Sequence, residues 1–414
     1  MTSDRQAEPG SLQSVPSPSD PSRSAVAAAV DAGPTVAILF TLSAFIQLTI
    51  VGMLAPLLVE LAVEFSSTVP AMGQLNAGTA IAWAPSAVLI SPLSDRFGRR
   101  PLIIIGMLGL GLTTILVSLA PSIAVLFGLR LLGGVFGGAF GPSVNAAIVD
   151  YFPPDRRGQV LGFQAAGFSL AAVVGVPLVT AIAALIGWRT SFLLAGAAMM
   201  LLALVIARAL PRLNHTAPVA QSHLAAYASV LRQPQARPLY AANLAERIAS
   251  IALATYLPAF LTLRYGLGLS AVAALLSIVA VGALTGTLVG GRLANRPGRL
   301  RVFAIGQGIA GLAALPLLTT TPGVAVSAAL GLTQSFAASV GRPPFTWLIG
   351  QLSTDRRGAV MGLYALTNQG GIVIGSAVGG LVLAFGGFDA VAALVTLGLA
   401  TTVIIAARLG RDPA

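Results

Sequence analysis

The chain has 414 residues, of which 56% are hydrophobic and only 9% are charged. A soluble domain is about a quarter charged, so this composition excludes a water-soluble globular protein and favours one that faces lipid. The absence of cysteine excludes disulfide bonds and thiolate metal sites. We also predict no metal, no cofactor and no enzyme active site, because the sequence contains no nucleotide-binding loop, metal-ligand cluster or nucleophile–base set.

In chain order, residues 1–33 are polar and rich in serine and proline, and we predict that they form a disordered tail. Apolar stretches of about 20 residues, the length that crosses a bilayer, then recur almost to the end. They predict an all-α polytopic membrane protein with twelve transmembrane helices near residues 35–60, 70–92, 101–120, 122–150, 158–186, 189–209, 238–262, 268–292, 301–320, 323–350, 358–385 and 388–408.

The longest interior loop divides these helices into two groups of six. We predict an N-terminal six-helix bundle at 34–210, a connector at 211–236 with a short surface helix, a C-terminal six-helix bundle at 237–408 and a tail at 409–414.

Arginine supplies all of the 24 basic residues, and it alternates between loops. One set of loops is rich in arginine, whereas the other set holds only Arg189 and Arg264. Short arginine-rich loops stay in the cytoplasm. We therefore predict a protein of the cytoplasmic (inner) membrane with both termini and the connector inside. The net charge of +11 reflects topology, and we expect no nucleic-acid partner.

A repeat of 200 residues relates the two halves. The stretch 91–101, SPLSDRFGRRP, corresponds to 291–301, GRLANRPGRLR, and the sequence Asp-Arg-Arg-Gly occurs at both 155–158 and 355–358. Both halves begin on the same side, so they are parallel repeats related about the membrane normal. Two such bundles can rock about a central site, which favours transport by alternating access.

Residues 91–100 resemble the loop between the second and third spans of the major facilitator superfamily, Gly-x-x-x-Asp-Arg-x-Gly-Arg-Arg, with Ser91 in place of the glycine. Residues 167–192 resemble the fifth and sixth spans of its drug- and sugar-efflux branch, close to the arabinose exporters. The antiporter motif of that branch has Gly-Pro where this chain has Ala171-Ala172. The resemblance implies the two-bundle fold and proton-coupled export.

The charged loop is interpreted as a gate. Asp95 is expected to lie against the positive N-terminus of span eleven, and Arg96 or Arg99 to pair with Asp150, each contact contributing about 0.3–2 kcal/mol. Gly98 permits a turn with positive φ. The alternative is that the arginines only mark topology. The complete predicted gating set is Asp95, Arg96, Gly98, Arg99, Arg100, Asp150, Asn295, Arg296, Gly298 and Arg299.

Charged residues within spans usually mark pathways. Arg130 resembles the arginine motif of span four in this superfamily and is a candidate for proton coupling, by tuning the protonation of a nearby group; alternatively, it extends to the outer membrane interface. Glu246 and Arg247 are candidates for proton coupling, because burial favours a protonated carboxyl group; alternatively, they simply pair with each other. Arg342 precedes two prolines that interrupt span ten, and it is expected to attract an anionic substrate group, to hold Glu246, or only to accompany a kink.

Further polar and aromatic residues within spans predict a cavity for a small, partly apolar solute, although each of them is equally suited to hold helices together. With Arg342, these candidates are Gln47, Asn76, Trp83, Asn145, Gln164, Asn243, Tyr256, Gln334, Trp347, Tyr364, Asn368 and Gln369. Close helix packing is predicted at Gly175, Pro177, Gly371, Gly375 and Gly379, and along Gly133, Gly137 and Gly141.

Together these features predict a secondary transporter that exports a small solute by proton antiport, driven by the proton gradient. We expect it to function as a monomer whose partners are a small-molecule substrate, protons and the lipid bilayer. Two alternatives remain open: proton-coupled uptake by symport, and a membrane sensor that keeps the fold but transports nothing. The charged residues retained inside the spans argue against the sensor.

Overall fold

The computed structural model describes residues 33–211, 223–353 and 356–410, and within them the regular structure is helical, with no strand. Ten helices in this described part are long and apolar enough to cross a membrane. The predicted tail before Gly33, the first part of the connector (212–222) and the last four residues lie outside the described residues.

The first half contains six long helical segments in the predicted order. A 3₁₀ turn at Ala55–Leu57 interrupts the first segment, and a π-helical turn at Ala171–Gly175 interrupts the fifth. The segments are α1 (Gly33–Glu64), α2 (Val69–Phe97), α3 (Arg99–Val117), α4 (Ile123–Tyr151), α5 (Asp155–Ile186) and α6 (Trp188–Ala209). Among these, only α2 is not one of the ten apolar helices found in the described residues, and its amides Gln74 and Asn76 make its first half less apolar.

The second half follows a short connector helix, His223–Leu231. Its segments are α7 (Ala236–Tyr265), α8 (Leu269–Leu293), α9 (Arg299–Thr319) and α10 (Val324–Gly350). The last helix, Arg357–Leu409, has 53 residues. At 1.5 Å per residue it would be about 80 Å long, far more than the roughly 30 Å of a bilayer core. Its backbone is non-helical at Gly387, which divides it into α11 (357–386) and α12 (388–409).

The backbone repeats the sequence symmetry at its turns. Gly98 has φ 87° and Gly298 has φ 83°, while Gly187 has φ 91° and Gly387 has φ 64°. Each pair is separated by 200 residues, and each turn requires a positive φ that glycine adopts without steric cost. The predicted positive φ of Gly98 is confirmed.

Two faces of the helical assembly are distinguished by the loops between segments. We call the face that carries Gly98, Gly298 and the connector helix the basic face, and the face that carries Gly187 and Gly387 the opposite face. One apolar core includes residues of both halves, for example Phe40, Met72, Tyr256 and Phe260. A second core, around Phe303 and Val360, lies within the second half near the basic face.

The halves are held together toward the opposite face. The amide Nε2 of Gln74 on α2 donates a hydrogen bond of 3.2 Å to the carbonyl oxygen of Ala377 on α11. Gly73 and Gly380 leave room there for the side chain of Tyr256. In addition, α8 packs against Val176–Ile186, the part of α5 that leads to the opposite face. We call this contact region the seal.

Candidate functional site

A cavity of about 850 Å³ lies between the halves, toward the basic face. From the first half, α5 contributes Phe168, Ser169 and Ala172. From the second half, α8, α10 and α11 contribute the remaining lining residues, which are Ala280, Ala283, Leu284, Thr287, Ala294, Ser339, Arg342, Pro343, Thr346, Trp347, Gly350, Gln351 and Met361. The α10 residues recur every three or four positions, so one face of this helix forms a wall of the cavity. We call this space the central cavity.

Glu246 lies in a network beside the central cavity and is only 2% exposed. Arg247 donates two hydrogen bonds to its carboxylate, from Nε at 2.8 Å and from Nη2 at 3.0 Å. The Ser250 hydroxyl donates a third, at 2.7 Å. The carboxylate of Glu246 is therefore bound by Arg247, its neighbour in the chain, and by Ser250, one helical turn later. This pairing with Arg247 is the arrangement that the sequence predicted as the alternative to proton coupling.

Arg342 begins the second part of α10, which meets the first part at Gly341. The prolines that follow it occupy the first turn of this part, where the missing N–H groups cost nothing. Its guanidinium group is close enough to interact electrostatically with Glu246 and Arg247, and it lies beside the Tyr364 hydroxyl. That hydroxyl is 2.9 Å from Thr346 Oγ1. Arg342 thus connects the central cavity with the Glu246 network.

Asn243 extends this network one helical turn toward the basic face. It is buried, and its Nδ2 donates to Thr367 Oγ1 at 2.8 Å and to Asn368 Oδ1 at 3.3 Å. Asn243 and Asn368, two of the predicted cavity residues, thereby connect α7 with α11, while Tyr364, a third, connects α11 with α10 through Thr346.

Arg130 occupies a separate small cavity inside the first half. It is 6% exposed, and its Nε and Nη2 atoms have no hydrogen-bond partner in the described part of the chain. The predicted residues Gln47 and Trp83 line the same space of about 30 Å³. Arg130 therefore lies inside the bundle and does not extend to the membrane interface. A buried cation of this kind is costly unless an anion or water joins it.

The charged loops make contacts mostly within each half. Arg99 Nε is 3.0 Å from Asp150 Oδ2, as predicted, but both residues belong to the first half, so the pair joins α3 to α4. Arg100 Nη2 donates to the Ala207 carbonyl at 2.5 Å, and Arg299 lies 3.5 Å above the ring of Trp347. The side chain of Asp95, predicted to contact span eleven, lies outside the described residues.

The other loop candidates are exposed. Arg96 lies over the ring of Phe97, with 5.4 Å between its Cζ and the ring centroid, and Asn295 and Arg296 are both exposed at the end of α8. Their positions give them no contact with the central cavity.

The remaining cavity candidates lie elsewhere. Tyr256 is fully buried in the seal, where its hydroxyl donates to the Ser376 carbonyl at 2.8 Å. Gln164 and Gln334 are buried within the bundles, and Asn145 is exposed on α4. Asn76 and Gln369 are half-buried and line neither cavity.

Several lining residues were not predicted. Phe168, Thr287 and Thr346 line the central cavity, yet each is an ordinary residue of a membrane helix. The available signal was the position of Thr346 one helical turn after Arg342, on the same face. Nothing comparable marks Phe168 or Thr287.

The predicted glycines of α11 pack as a stripe against α7. Gly371 lies against Arg247, Gly375 against the backbone of Ile248, and Gly379 against Tyr256. Gly175, in the π-helical turn, leaves room for the Thr49 hydroxyl of α1. Pro177 is buried in the first turn of the helix that follows.

In α4 the predicted stripe is displaced by one residue. Gly134 and Gly138 lie against the backbone of α2, at the carbonyls of Thr79 and Trp83. Gly137 and Gly141 instead face the side chain of Trp83. Gly133 of the predicted series lies against Thr113 of α3, so this series also packs against neighbouring helices, but spacing alone did not identify the second series, which faces the backbone of α2.

Comparison with known proteins gives a consistent result. The family model of the Major Facilitator Superfamily matches residues 40–331 and 239–414. The chain is 24% identical to the uncharacterized MFS-type transporter YceJ of Bacillus subtilis (strain 168), over 85% of this chain and 92% of that protein. It is 25% identical to Multidrug resistance protein 1 of the same organism, over 84% and 89% of the two chains.

Among solved structures, the fold is similar to that of a bacterial homologue of the human lysosomal transporter Spinster in an inward-facing, unoccupied conformation. The TM-score is 0.68 at 18% sequence identity, and the match covers 94% of this chain and 96% of that chain.

Proposed function

This chain belongs to the major facilitator superfamily of membrane transporters, and we propose that it exports a small, partly apolar solute across the cytoplasmic membrane in exchange for protons. The observation that carries this proposal is the central cavity, which lies between the halves toward the basic face, while the seal joins the halves toward the opposite face. A volume of about 850 Å³ is within the range of about 300–1,000 Å³ found for small-molecule sites.

The basic face is the cytoplasmic one in this proposal. Its loops hold most of the arginines, and such loops remain inside. Both termini and the connector then lie in the cytoplasm, and the described conformation faces inward. A solute enters the central cavity from the cytoplasm and leaves after the seal has opened and the basic face has closed.

Export is favoured over uptake by two observations. One relative that aligns over most of its length is named a multidrug resistance protein. The α5 segment from Gly175 to Thr180, with Pro177, also resembles efflux members of the superfamily. These similarities support the direction, and the transport assay below tests it.

Proton exchange is assigned to Glu246. It is the carboxylate beside the central cavity, and its pairing with Arg247 provides two alternative states. In one state the arginine neutralises it. In the other a proton does, and Arg247 becomes available for another partner. In the proposed cycle the solute binds while Glu246 is ionised and paired with Arg247, and Glu246 takes up a proton after the solute has left, so that proton and solute alternate as antiport requires.

The test uses everted membrane vesicles that contain the overproduced protein and a pH-sensitive dye. Solutes are added one at a time from a panel of cationic, neutral and anionic aromatic compounds, and release of protons from the acidified lumen is recorded. We expect at least one solute to drive proton release with the native protein, and Glu246→Gln to abolish it. Asp389→Asn, which removes an exposed acid at the start of α12, serves as the control and should behave as the native protein does.

Two results would contradict the proposal. Proton release that is unchanged in Glu246→Gln would remove that residue from coupling. Solute accumulation in right-side-out vesicles, driven by an inward proton gradient, would identify an uptake symporter.

A further inference from the structure

The charge balance of the central cavity points to the chemical class of the solute. We propose that the transported solute is an aromatic or otherwise apolar organic anion, whose anionic group binds Arg342 and whose apolar body lies against Trp347. This inference rests on the transport function proposed above and adds the identity of the recognised groups.

The first observation is the balance of charges between Glu246, Arg247 and Arg342. Glu246 is engaged by Arg247 and Ser250, so one arginine of the network is neutralised. Arg342 has no carboxylate within ion-pair distance in the described part of the chain, and at longer range it interacts with both the negative charge of Glu246 and the positive charge of Arg247. The network therefore holds two cations and one anion, and the unmatched cation is the one that lines the central cavity.

The second observation concerns the remaining lining. The described residues around the central cavity include no aspartate or glutamate. A cationic solute would find no opposite charge in this space and would meet Arg342. A carboxylate, sulfonate or phosphate group would instead accept charge-assisted hydrogen bonds from the guanidinium group, which presents its donors in a planar fork suited to such groups.

The third observation concerns the apolar part of the solute. Trp347 lies about 1.4 helical turns after Arg342 on α10 and lines the same cavity, and 36% of its surface is exposed. Arg299 lies over its ring and fixes its orientation from the basic face. Phe168 faces the cavity from α5, across from α10. An aromatic body can thus lie between two aromatic side chains while its anionic group reaches Arg342.

The hydroxyls near Arg342 match this assignment. Ser339 and Thr346 line the cavity, and the Thr346 hydroxyl lies 2.9 Å from that of Tyr364. A hydroxyl can donate to an anionic oxygen while it accepts from a neighbouring group. The anionic group would therefore be surrounded by donors on the α10 side.

The experiment compares two probes with the same aromatic body and opposite charge, naphthalene-2-sulfonate and 2-naphthyltrimethylammonium. Binding to the purified, detergent-solubilised full-length protein is measured by isothermal titration calorimetry. We expect the native protein to bind the sulfonate at least tenfold more tightly than the ammonium compound. Arg342→Gln should weaken sulfonate binding about 10- to 100-fold, the usual range for hydrogen bonds to a charged group.

Three further variants make the result interpretable. Arg342→Lys keeps the charge and should retain a preference for the sulfonate, which also covers the case in which the glutamine variant does not fold. Arg264→Gln removes an exposed arginine near the opposite face and should leave the binding of both probes unchanged. Trp347→Leu should weaken both probes by a similar factor, because it removes apolar contact and no charge.

The inference is overturned if the native protein binds neither probe, if it binds the ammonium compound as tightly as the sulfonate, or if Arg342→Gln keeps the full preference. The outcome is separable from that of the proposed function. A sulfonate preference without any solute-driven proton release would reject proton exchange and leave the assignment of Arg342 intact. Proton release driven only by cationic solutes would support proton exchange and reject the assignment of Arg342 as the binding site of an anionic group.

Discussion

The seal can be weakened by a single methyl group. In Gly380→Ala, the added Cβ would lie 2.5 Å from Gln74 Nε2, 2.6 Å from the Tyr256 hydroxyl and 3.0 Å from the Pro70 carbonyl oxygen. Overpacking of this kind typically costs about 1–3 kcal/mol. Gln74 and Pro70 belong to the first half, so their crowding exists only while the halves are in contact at the seal, and this part of the cost falls on the inward-facing state. The contact with Tyr256 lies within the second half and is common to both states. The ratio of inward-facing to outward-facing protein should therefore decrease about 5- to 150-fold.

The assay exploits the absence of native cysteine. A single reporter is introduced as Thr287→Cys, an exposed position that lines the central cavity. Its rate of modification by a membrane-impermeant maleimide is measured in everted vesicles, in which the proposed orientation exposes the basic face to the reagent. The rate should fall in Gly380→Ala as the inward-facing population falls. Gly268→Ala, at a position with no atom near the added Cβ, provides the matched control and should leave the rate unchanged.

An identical labelling rate in Gly380→Ala and in the control, with the variant correctly folded, would refute the reasoning. It would mean either that the contacts at Gly380 persist in both states or that the protein does not alternate between them. A faster rate would also contradict the account, since it would require the crowded seal to favour the inward-facing state.

Three further changes test individual contacts by thermal unfolding of the purified protein. Arg130→Met should leave stability unchanged or raise it by up to about 4 kcal/mol, because it removes a buried cation that lacks hydrogen-bond partners at two nitrogens. The same variant should lose solute-driven proton release. A clear loss of stability would contradict this prediction. Asp150→Asn should destabilise by at most about 1 kcal/mol through its partly exposed pair with Arg99, and a larger loss would reveal a stronger contact. Glu64→Gln removes the carboxylate that accepts hydrogen bonds from both Trp188 and Arg189, so it should lower stability by about 1 kcal/mol, and an unchanged unfolding temperature would mean that this cluster contributes nothing.

Much of the fold could be predicted from the sequence because a bilayer imposes length and hydropathy on each crossing helix. The repeat was equally informative: Gly187 and Gly387 occupy corresponding turns, and the non-helical backbone at Gly387 divides the 53 residues Arg357–Leu409 into two crossings. The less apolar α2 was predicted as a span from the apolar stretch that precedes the charged loop. Its low hydropathy has a structural reason, since its amide Gln74 forms part of the seal.

The site was less predictable because neutral polar residues in membrane helices either line a cavity or hold helices together, and the sequence looks the same in both cases. Gln334 is buried within its bundle, whereas Asn145 is exposed, and no local pattern distinguishes them. Tyr256 was expected in the cavity, but the space left by Gly73 and Gly380 accommodates it in the seal. Charged residues were better guides, because burying a charge is costly enough to require a reason. Arg342 indeed lines the central cavity.

The central claim is that the halves must separate at the seal during each transport cycle. The most direct measurement is transport by the double variant Gln74→Cys/Ala377→Cys, whose positions face each other across the seal, before and after treatment with a short bis-methanethiosulfonate, which forms a reducible disulfide with each cysteine and releases methanesulfinate. The cysteine-free native protein receives the same treatment as a control. The account predicts that the cross-link stops solute-driven proton release in everted vesicles and that a reductant restores it. Undiminished proton release by fully cross-linked protein would contradict the account.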